Sequence, residues 1–326
     1  MASRRIPLWD NVKCFLILAV VLGHFVDGFH RDSHLYQSIF VFCYSFHMPV
    51  FLFIAGMFHK NTRIAQKVVS FLSIYLLYKG VLLLEGQFFG TADSFNLFGD
   101  SAAPWYTFCM AVFILLTFLL QSVEPRFLLG VGILAACLAG YDASIGDGFY
   151  LSRTLVLFPC YLAGTMVSKE RLERLTQNRR LRLAALFVLL GWAAVTYLGI
   201  ERVYILRHLF TGRNPYRESI WIYGGAFRLL CYLISAVIGL ALILVVPSRD
   251  LGFVTRFGQR TLQIYFWHVP VLNLLKGLNV PELIRIQHIP GKLLWLGIAV
   301  ALTLLLSLPV FRYPTDFLMS ASRRKE

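Results

Sequence analysis

Apolar stretches about a bilayer's width long alternate with short polar connections along most of this chain. At about 20 residues per crossing, the spans run approximately over 11–30, 37–58, 66–86, 105–121, 127–141, 153–168, 181–199, 222–246, 261–278 and 292–311. The fifth and sixth are the shortest. The pattern predicts an all-α integral membrane protein. It is expected to be one domain over 1–326, a polytopic bundle of about ten transmembrane helices with both termini cytoplasmic.

The first stretch is interrupted in an informative way. Lys13 and His24 lie eleven residues apart, with Cys14 to Leu22 apolar between them. Eleven residues make three helical turns, so the two side chains share one helix face, separated by roughly 16 Å along the axis. Asp10 falls on the same stripe. Ionisable groups inside a span are costly, and by default they face a polar cavity with a function. Arg4-Arg5 precede this stretch as they would a signal peptide. It runs on into Phe25-Val26-Asp27 without a small-residue cleavage site, however, and is read as a retained first helix.

Composition agrees with the membrane class. Hydrophobic residues make up 58% and charged ones 15%, and a mean hydropathy of +0.67 excludes an ordinary soluble domain. The net charge of +14 sorts by membrane side. With the N-terminus cytoplasmic, the inner segments hold Arg4 and Arg5; Lys60, Arg63 and Lys67; Arg126; Lys169, Arg171, Arg174, Arg179, Arg180 and Arg182; Arg249, Arg256 and Arg260; and Arg323, Arg324 and Lys325. Outer loops hold Asp93, Asp100, Asp142 and Asp147. This is the positive-inside pattern, and it leaves no basic face for nucleic acid. One outer connection departs from it: Glu201 to Glu218 carries Arg202, Arg207, Arg213 and Arg217 with His208, Tyr204, Phe210 and Tyr216. Two readings of it stay open, attraction of an anionic glycan and packing over the bundle.

The six cysteines lie in or beside apolar segments with no Cys-x-x-Cys spacing, so neither disulfides nor zinc are expected. Asp27, His30, Asp32 and His34 have metal-like spacing but sit in a short polar loop, and no metal is expected.

Depth relates the intramembrane polar residues. His24 lies about 20 Å from the inner end of the first span, and His47 about 16 Å from that of the second. Antiparallel neighbours would therefore bring two imidazoles to nearly one level, and Lys79 in the third span reaches a similar one. Pro49 is expected to bend the second span. His47-Met48-Pro49-Val50 is echoed by His268-Val269-Pro270-Val271, an echo too brief to imply a repeat. An imidazole at this depth suits general-base work. His47 and His268 equally suit hydrogen bonding between helices, while Lys79, Arg153 and Arg228 suit snorkelling or carbonyl pairing. At the inner mouth, Lys13, Lys60, Arg63 and Lys67 suit the phosphates of a nucleotide-like donor.

Several motifs, taken in order, resemble the membrane acyltransferase type 3 family. They are Lys13-x10-His24 within Val21-Leu22-Gly23-His24, then Ser45-Phe46-His47-Met48-Pro49 through Ala55-Gly56, then Lys60-x2-Arg63 and Pro104-Trp105-Tyr106. Arg153 before Phe158-Pro159-Cys160-Tyr161-Leu162-Ala163-Gly164, and Gly258-Gln259-Arg260 through Trp267-His268, complete the set. The Asp-Asn-x-Lys opening at Asp10 is most similar to the fucose-4-O-acetylase-like branch. Ten helices is the number the resemblance implies. Lysine stands at 13 and 60 where many members have arginine, which keeps the charge but loses the bidentate fork.

The resemblance implies a multi-pass plasma-membrane O-acyltransferase. It would move an acetyl group from cytoplasmic acetyl-CoA to a sugar hydroxyl of a surface glycan or lipid-linked sugar. His24 is the implied catalytic base, with His47 as a second catalytic candidate. Lys13, Lys60, Arg63 and Lys67 are expected to handle the donor, and Asp10, Lys79, Trp105, Arg153 and His268 to contact the acceptor. The competing class is a transporter or flippase for a glycan or small metabolite, which ten helices with buried His and Lys also fit.

Overall fold

The computed structural model of the protein describes residues 6–31, 33–90, 95–99 and 103–321. Arg4, Arg5, Asp32, Asp93, Asp100, Arg323, Arg324 and Lys325, which enter the charge and loop readings above, lie outside the described residues. Among the described residues every regular element is helical. The first apolar stretches form α1 (Pro7–Asp27), α2 (His34–Tyr44) with α3 (His47–Met57), α4 (Ile64–Phe89), α5 (Trp105–Leu119), α6 (Pro125–Ala139) and α7 (Leu151–Thr165). The short α8 (Lys169–Thr176) precedes α9 (Arg179–Leu198), and α10 (Ile200–Val203) and α11 (Arg207–Phe210) lie in the connection that follows. Then come α12 (Gly224–Val245), α13 (Phe253–Gly258), α14 (Thr261–Gly277), α15 (Val280–Leu283), α16 (Ile289–Leu306) and α17 (Thr315–Ala321).

All ten apolar stretches are thus helical. Six helical units are long and apolar enough to cross a membrane, with α2 and α3 counted as one of 24 residues. The number is seven if α7 and α8, bent by 80° at their junction, form one span. The chain is an all-helical, multi-pass membrane protein.

The second stretch departs from the expectation of a bend at Pro49. The helix breaks earlier, at Ser45–Phe46, where Phe46 takes φ −139° and ψ −28°. Pro49 then falls in the first turn of α3, where its missing N–H leaves no helical bond unmade. Carbonyls at the break find side-chain donors, as they must in an apolar medium. His47 Nδ1 donates to the Cys43 carbonyl (2.6 Å), Ser235 Oγ of α12 to that of Ser45 (2.5 Å), and Ser45 Oγ to that of Phe42 (2.7 Å).

Two glycines that carry the family resemblance meet face to face. A Cβ on Gly56 of α3 would lie 1.9 Å from the Tyr161 carbonyl oxygen, and one on Gly164 of α7 would lie 2.0 Å from that of Phe53. Small residues on both faces let the two backbones touch, the usual means of tight helix association in lipid. Gly258 of α13 does the same against the Asp10 carbonyl, where a Cβ would come within 1.7 Å.

The start of α1 is tied down at that crossing. Asn11 Nδ2 donates to the carbonyls of Pro247 and Arg249, and Thr255 Oγ1 donates to Asn11 Oδ1 at 2.6 Å. At the far end of α1, buried Trp295 of α16 donates its indole N–H to the Phe25 carbonyl (2.9 Å) and packs on the Phe25 ring. α1 is therefore clamped at both ends, with His24 between Gly23 and Phe25.

Candidate active site

A polar cavity of about 160 Å³ opens beside His24. Helices supply His24 and Asp27 from α1, Tyr44 from α2, His47 from α3, Trp105 from α5 and Arg153 from α7. The connection between α9 and α12 adds Arg207, His208 and Arg213. Four residues expected from sequence, His24, His47, Trp105 and Arg153, thus converge on one cavity.

Local packing explains each position. A Cβ on Gly23 would lie 3.0 Å from the Tyr44 ring, so glycine there lets Tyr44 close on α1 next to His24. His24 and Tyr44 then meet edge to face with ring centroids 6.4 Å apart, and Tyr44 meets His47 at 4.8 Å. His268 of α14 is fully buried, with its ring centroid 5.1 Å from that of His24. Two residues before Trp105, the Ala103 carbonyl accepts the Tyr265 hydroxyl. The Arg153 guanidinium carbon lies 5.2 Å from the Trp105 ring centroid, a cation–π arrangement, and Arg153 faces Asp147 at 3.8 Å.

The two His-x-Pro segments share a physical feature. His47 Nδ1 bonds the Cys43 carbonyl, and His268 Nδ1 bonds that of Tyr265 at 2.7 Å. A ring nitrogen that approaches a carbonyl must carry its proton, so in the neutral ring Nε2 is the lone-pair acceptor. His268 Nε2 is buried and has no hydrogen-bond partner among the described residues. In that form His47 Nε2 is likewise an acceptor and not a donor.

The donor candidates gather at the opposite end of α1. Trp9 packs edge to face on Phe58 (6.1 Å) and donates to Glu173, so the start of α1, the loop after α3 and α8 share one end of the bundle. Lys13 Nζ is 2.8 Å from Asp10 Oδ1. Lys67 Nζ donates to the Lys60 carbonyl (2.6 Å), and Arg63 sits at φ +53° at the head of α4. His59 bonds the Tyr161 hydroxyl and Asn61, and burial holds its pKa below the usual imidazole value. The cavity reaches along α1 as far as Val20, and Lys13 lies seven residues beyond that, about 10 Å on a helix.

Asp10 and Lys79 lie away from the cavity. Asp10 accepts from Gln259 Nε2 (3.3 Å) besides pairing with Lys13. Lys79 is buried, donates to the Asn96 carbonyl at 2.6 Å and faces the Tyr150 ring. Sequence reasoning missed Tyr44, met Asp27 only in a metal reading it set aside, and left the basic connection open between an anionic glycan and packing. The signals were present: Tyr44 lies one turn before His47, and Arg207 and Arg213 break the positive-inside pattern.

A comparison with family models matches residues 6–312 to an acyltransferase domain, nearly the whole chain. Comparisons with curated proteins and with solved structures gave no match. With a match over nearly its whole length, the chain belongs to the membrane acyltransferase type 3 family and is an acyltransferase.

Proposed function

We propose that this protein is a plasma-membrane O-acetyltransferase that moves an acetyl group from cytoplasmic acetyl-CoA to a sugar hydroxyl of a surface glycan or lipid-linked precursor. The observation that carries the reading is the convergence of His24, His47, His268, Trp105 and Arg153. The chain crosses the membrane ten times with both termini cytoplasmic, which puts Lys13, Lys60, Arg63 and Lys67 on the donor side.

In this reading the donor phosphates rest near Lys13, Lys60, Arg63 and Lys67, and the thioester lies at His24. Side chains between Val20 and Lys13 part to admit the donor's arm. His24 takes the proton of the acceptor hydroxyl, and the hydroxyl oxygen attacks the thioester carbonyl. As the tetrahedral intermediate collapses the C–S bond breaks, the ester forms, and the proton passes from His24 to the thiolate. The oxyanion needs donors. His47 offers an acceptor nitrogen and Lys79 lies elsewhere, so Arg153 and the Tyr44 hydroxyl take that role. His47 and His268 flank His24 and set its environment.

Acetyl-CoA should stabilise the purified protein against heat, whereas a glycan transporter should ignore it. Transfer of labelled acetyl from acetyl-CoA to glycan should be present in wild-type protein and lost in His24→Ala. Full transfer by that variant would overturn the assignment of the base.

A further inference from the structure

The connection from Ile200 to Tyr223 divides its side chains between two tasks. Leu206, Leu209, Phe210 and Tyr216 are buried and seat it on the bundle. Arg207, His208 and Arg213 face the cavity that holds His24. The seat is firm. Arg228 of α12 donates to the carbonyls of Leu209 (2.7 Å) and Arg213 (3.3 Å) and to Asn214 Oδ1 (2.9 Å). Ser152 donates to the Gly212 carbonyl, and the Tyr216 ring occupies the space where Gly140 and Gly224 lack a Cβ. The three cavity residues are therefore positioned before an acceptor arrives.

The protein offsets their charge only in part: Asp27, which lines the same cavity, and Asp147 both attract Arg213. Arg207 stacks 4.1 Å from the Tyr204 ring centroid and gives one N–H to the Tyr204 carbonyl. Arg31 and Arg217 both repel it. Arg213 Nε comes no closer than 3.8 Å to Asp147 and, though buried, has no hydrogen bond. His208 Nε2 is also buried without a partner. Like charges held together and buried polar nitrogens left unpaired both destabilise a fold, and such costs collect where a ligand offsets them. The donor's phosphates do not account for this cluster, because Lys13 lies roughly 16 Å along α1 from His24.

We propose that Arg207, Arg213 and His208 form an oxyanion subsite for a carboxylate or phosphate carried by the acceptor, so that the enzyme acts on an anionic sugar in preference to a neutral one. The inference rests on the cavity being the acceptor side of the acyl-transfer site. Arg207 and Arg213 supply N–H donors suited to planar or tetrahedral oxyanions, and the charges of Arg31 and Arg217, close enough to act on Arg207, add to the attraction.

Binding of three probes to the purified full-length protein in zwitterionic nanodiscs tests this: methyl β-glucuronide, glucose 1-phosphate and neutral methyl β-glucoside. At least one anionic probe should bind about tenfold or more tightly than the neutral one, with the margin shrinking as salt rises. Arg207→Gln should remove most of that margin and Arg207→Lys should restore part of it, while the thermal midpoint of each unliganded variant reports folding separately. A uronate-only preference assigns a carboxylate, and a phosphate-only preference assigns a phosphate. Equal binding of all three probes, a margin untouched by Arg207→Gln, or a margin that appears only with phosphatidylglycerol in the disc would overturn the proposal. Acetyl-CoA stabilisation, measured on the same sample, fails independently if the acyl-transfer reading is wrong.

Discussion

The imidazole of His268 packs against that of His24 with centroids 5.1 Å apart, while its own Nδ1 is committed to a backbone carbonyl. One ring is thus fixed in tautomer and orientation, and the other lies beside it at the cavity wall. His24→Ala should lower kcat for acetyl transfer by about 10²–10⁴-fold, the usual contribution of a positioned acid–base group. His268→Ala should cost about tenfold, since it removes a neighbour and not the base. Single-turnover transfer at saturating acetyl-CoA reads both, and a larger loss in His268→Ala than in His24→Ala would reverse the roles.

The glycine crossing of α3 and α7 predicts a stability effect. Gly56→Ala or Gly164→Ala puts a methyl group within 1.9 or 2.0 Å of a backbone oxygen, contacts that only helix separation relieves. Overpacking of this kind costs about 1–3 kcal/mol or more. Gly191→Ala in α9, where nothing lies within 4 Å, should instead gain about 0.5–1 kcal/mol from helix propensity. Thermal midpoints in detergent separate the two classes.

Much of this architecture was legible in the sequence because apolar length is a strong signal. Each of the ten stretches overlaps a helix, His24 and His47 were marked by the cost of burying them, and Trp105 and Arg153 by the motifs of the resemblance. The break at Ser45–Phe46 was not legible. Pro49 is the conspicuous helix-breaker, yet the break lies earlier, where Ser235 from α12, a partner far away in the chain, donates to the Ser45 carbonyl. Lys79 looked like a site residue for the same reason as His24. The Asn96 carbonyl that satisfies it belongs to a loop whose docking no periodicity reveals. The contact of His268 with His24 likewise depends on which helices are neighbours.

Arg228 predicts the mobility of the connection above the cavity. It is 1% exposed and donates to three acceptors there. Arg228→Ala should cost about 2–4 kcal/mol by leaving those acceptors unpaired. It should also speed proteolysis between Ile200 and Tyr223. Arg228→Lys keeps the charge but not the fork, so its cleavage rate should fall between the two.

His208 predicts an acid limit. Burial, then Arg217, Arg207, Arg213 and His30, hold its pKa at about 4 instead of 6.5. Between those values the unfolded chain binds a proton that the folded protein does not, so stability falls as pH drops from about 6.5 towards 4. The thermal midpoint should decline over that window, and His208→Gln should flatten the decline. An unchanged slope in the variant would place the acid sensitivity elsewhere.

The topology can be checked by labelling. Single cysteines replacing Glu218 and Arg174, in a chain otherwise freed of cysteine, should react with impermeant maleimide from opposite faces of the membrane: Glu218→Cys in intact cells, Arg174→Cys only after permeabilisation. Labelling of both from outside would break the ten-crossing, both-ends-in arrangement.

The backbone contact of α3 with α7 bears on turnover. Both helices start at the cavity, His47 and Arg153 each lie within their first turn, and the glycine contact lies near the other end of each. The two side chains therefore ride on one closely packed frame, which should hold their separation nearly fixed. Admitting an acceptor then falls to the parts joined to that frame by side chains: the end of α1 under Trp295, and the arginine-bearing connection under Arg228. The frame acts as a ruler, and substrates are measured against it by whatever swings towards it.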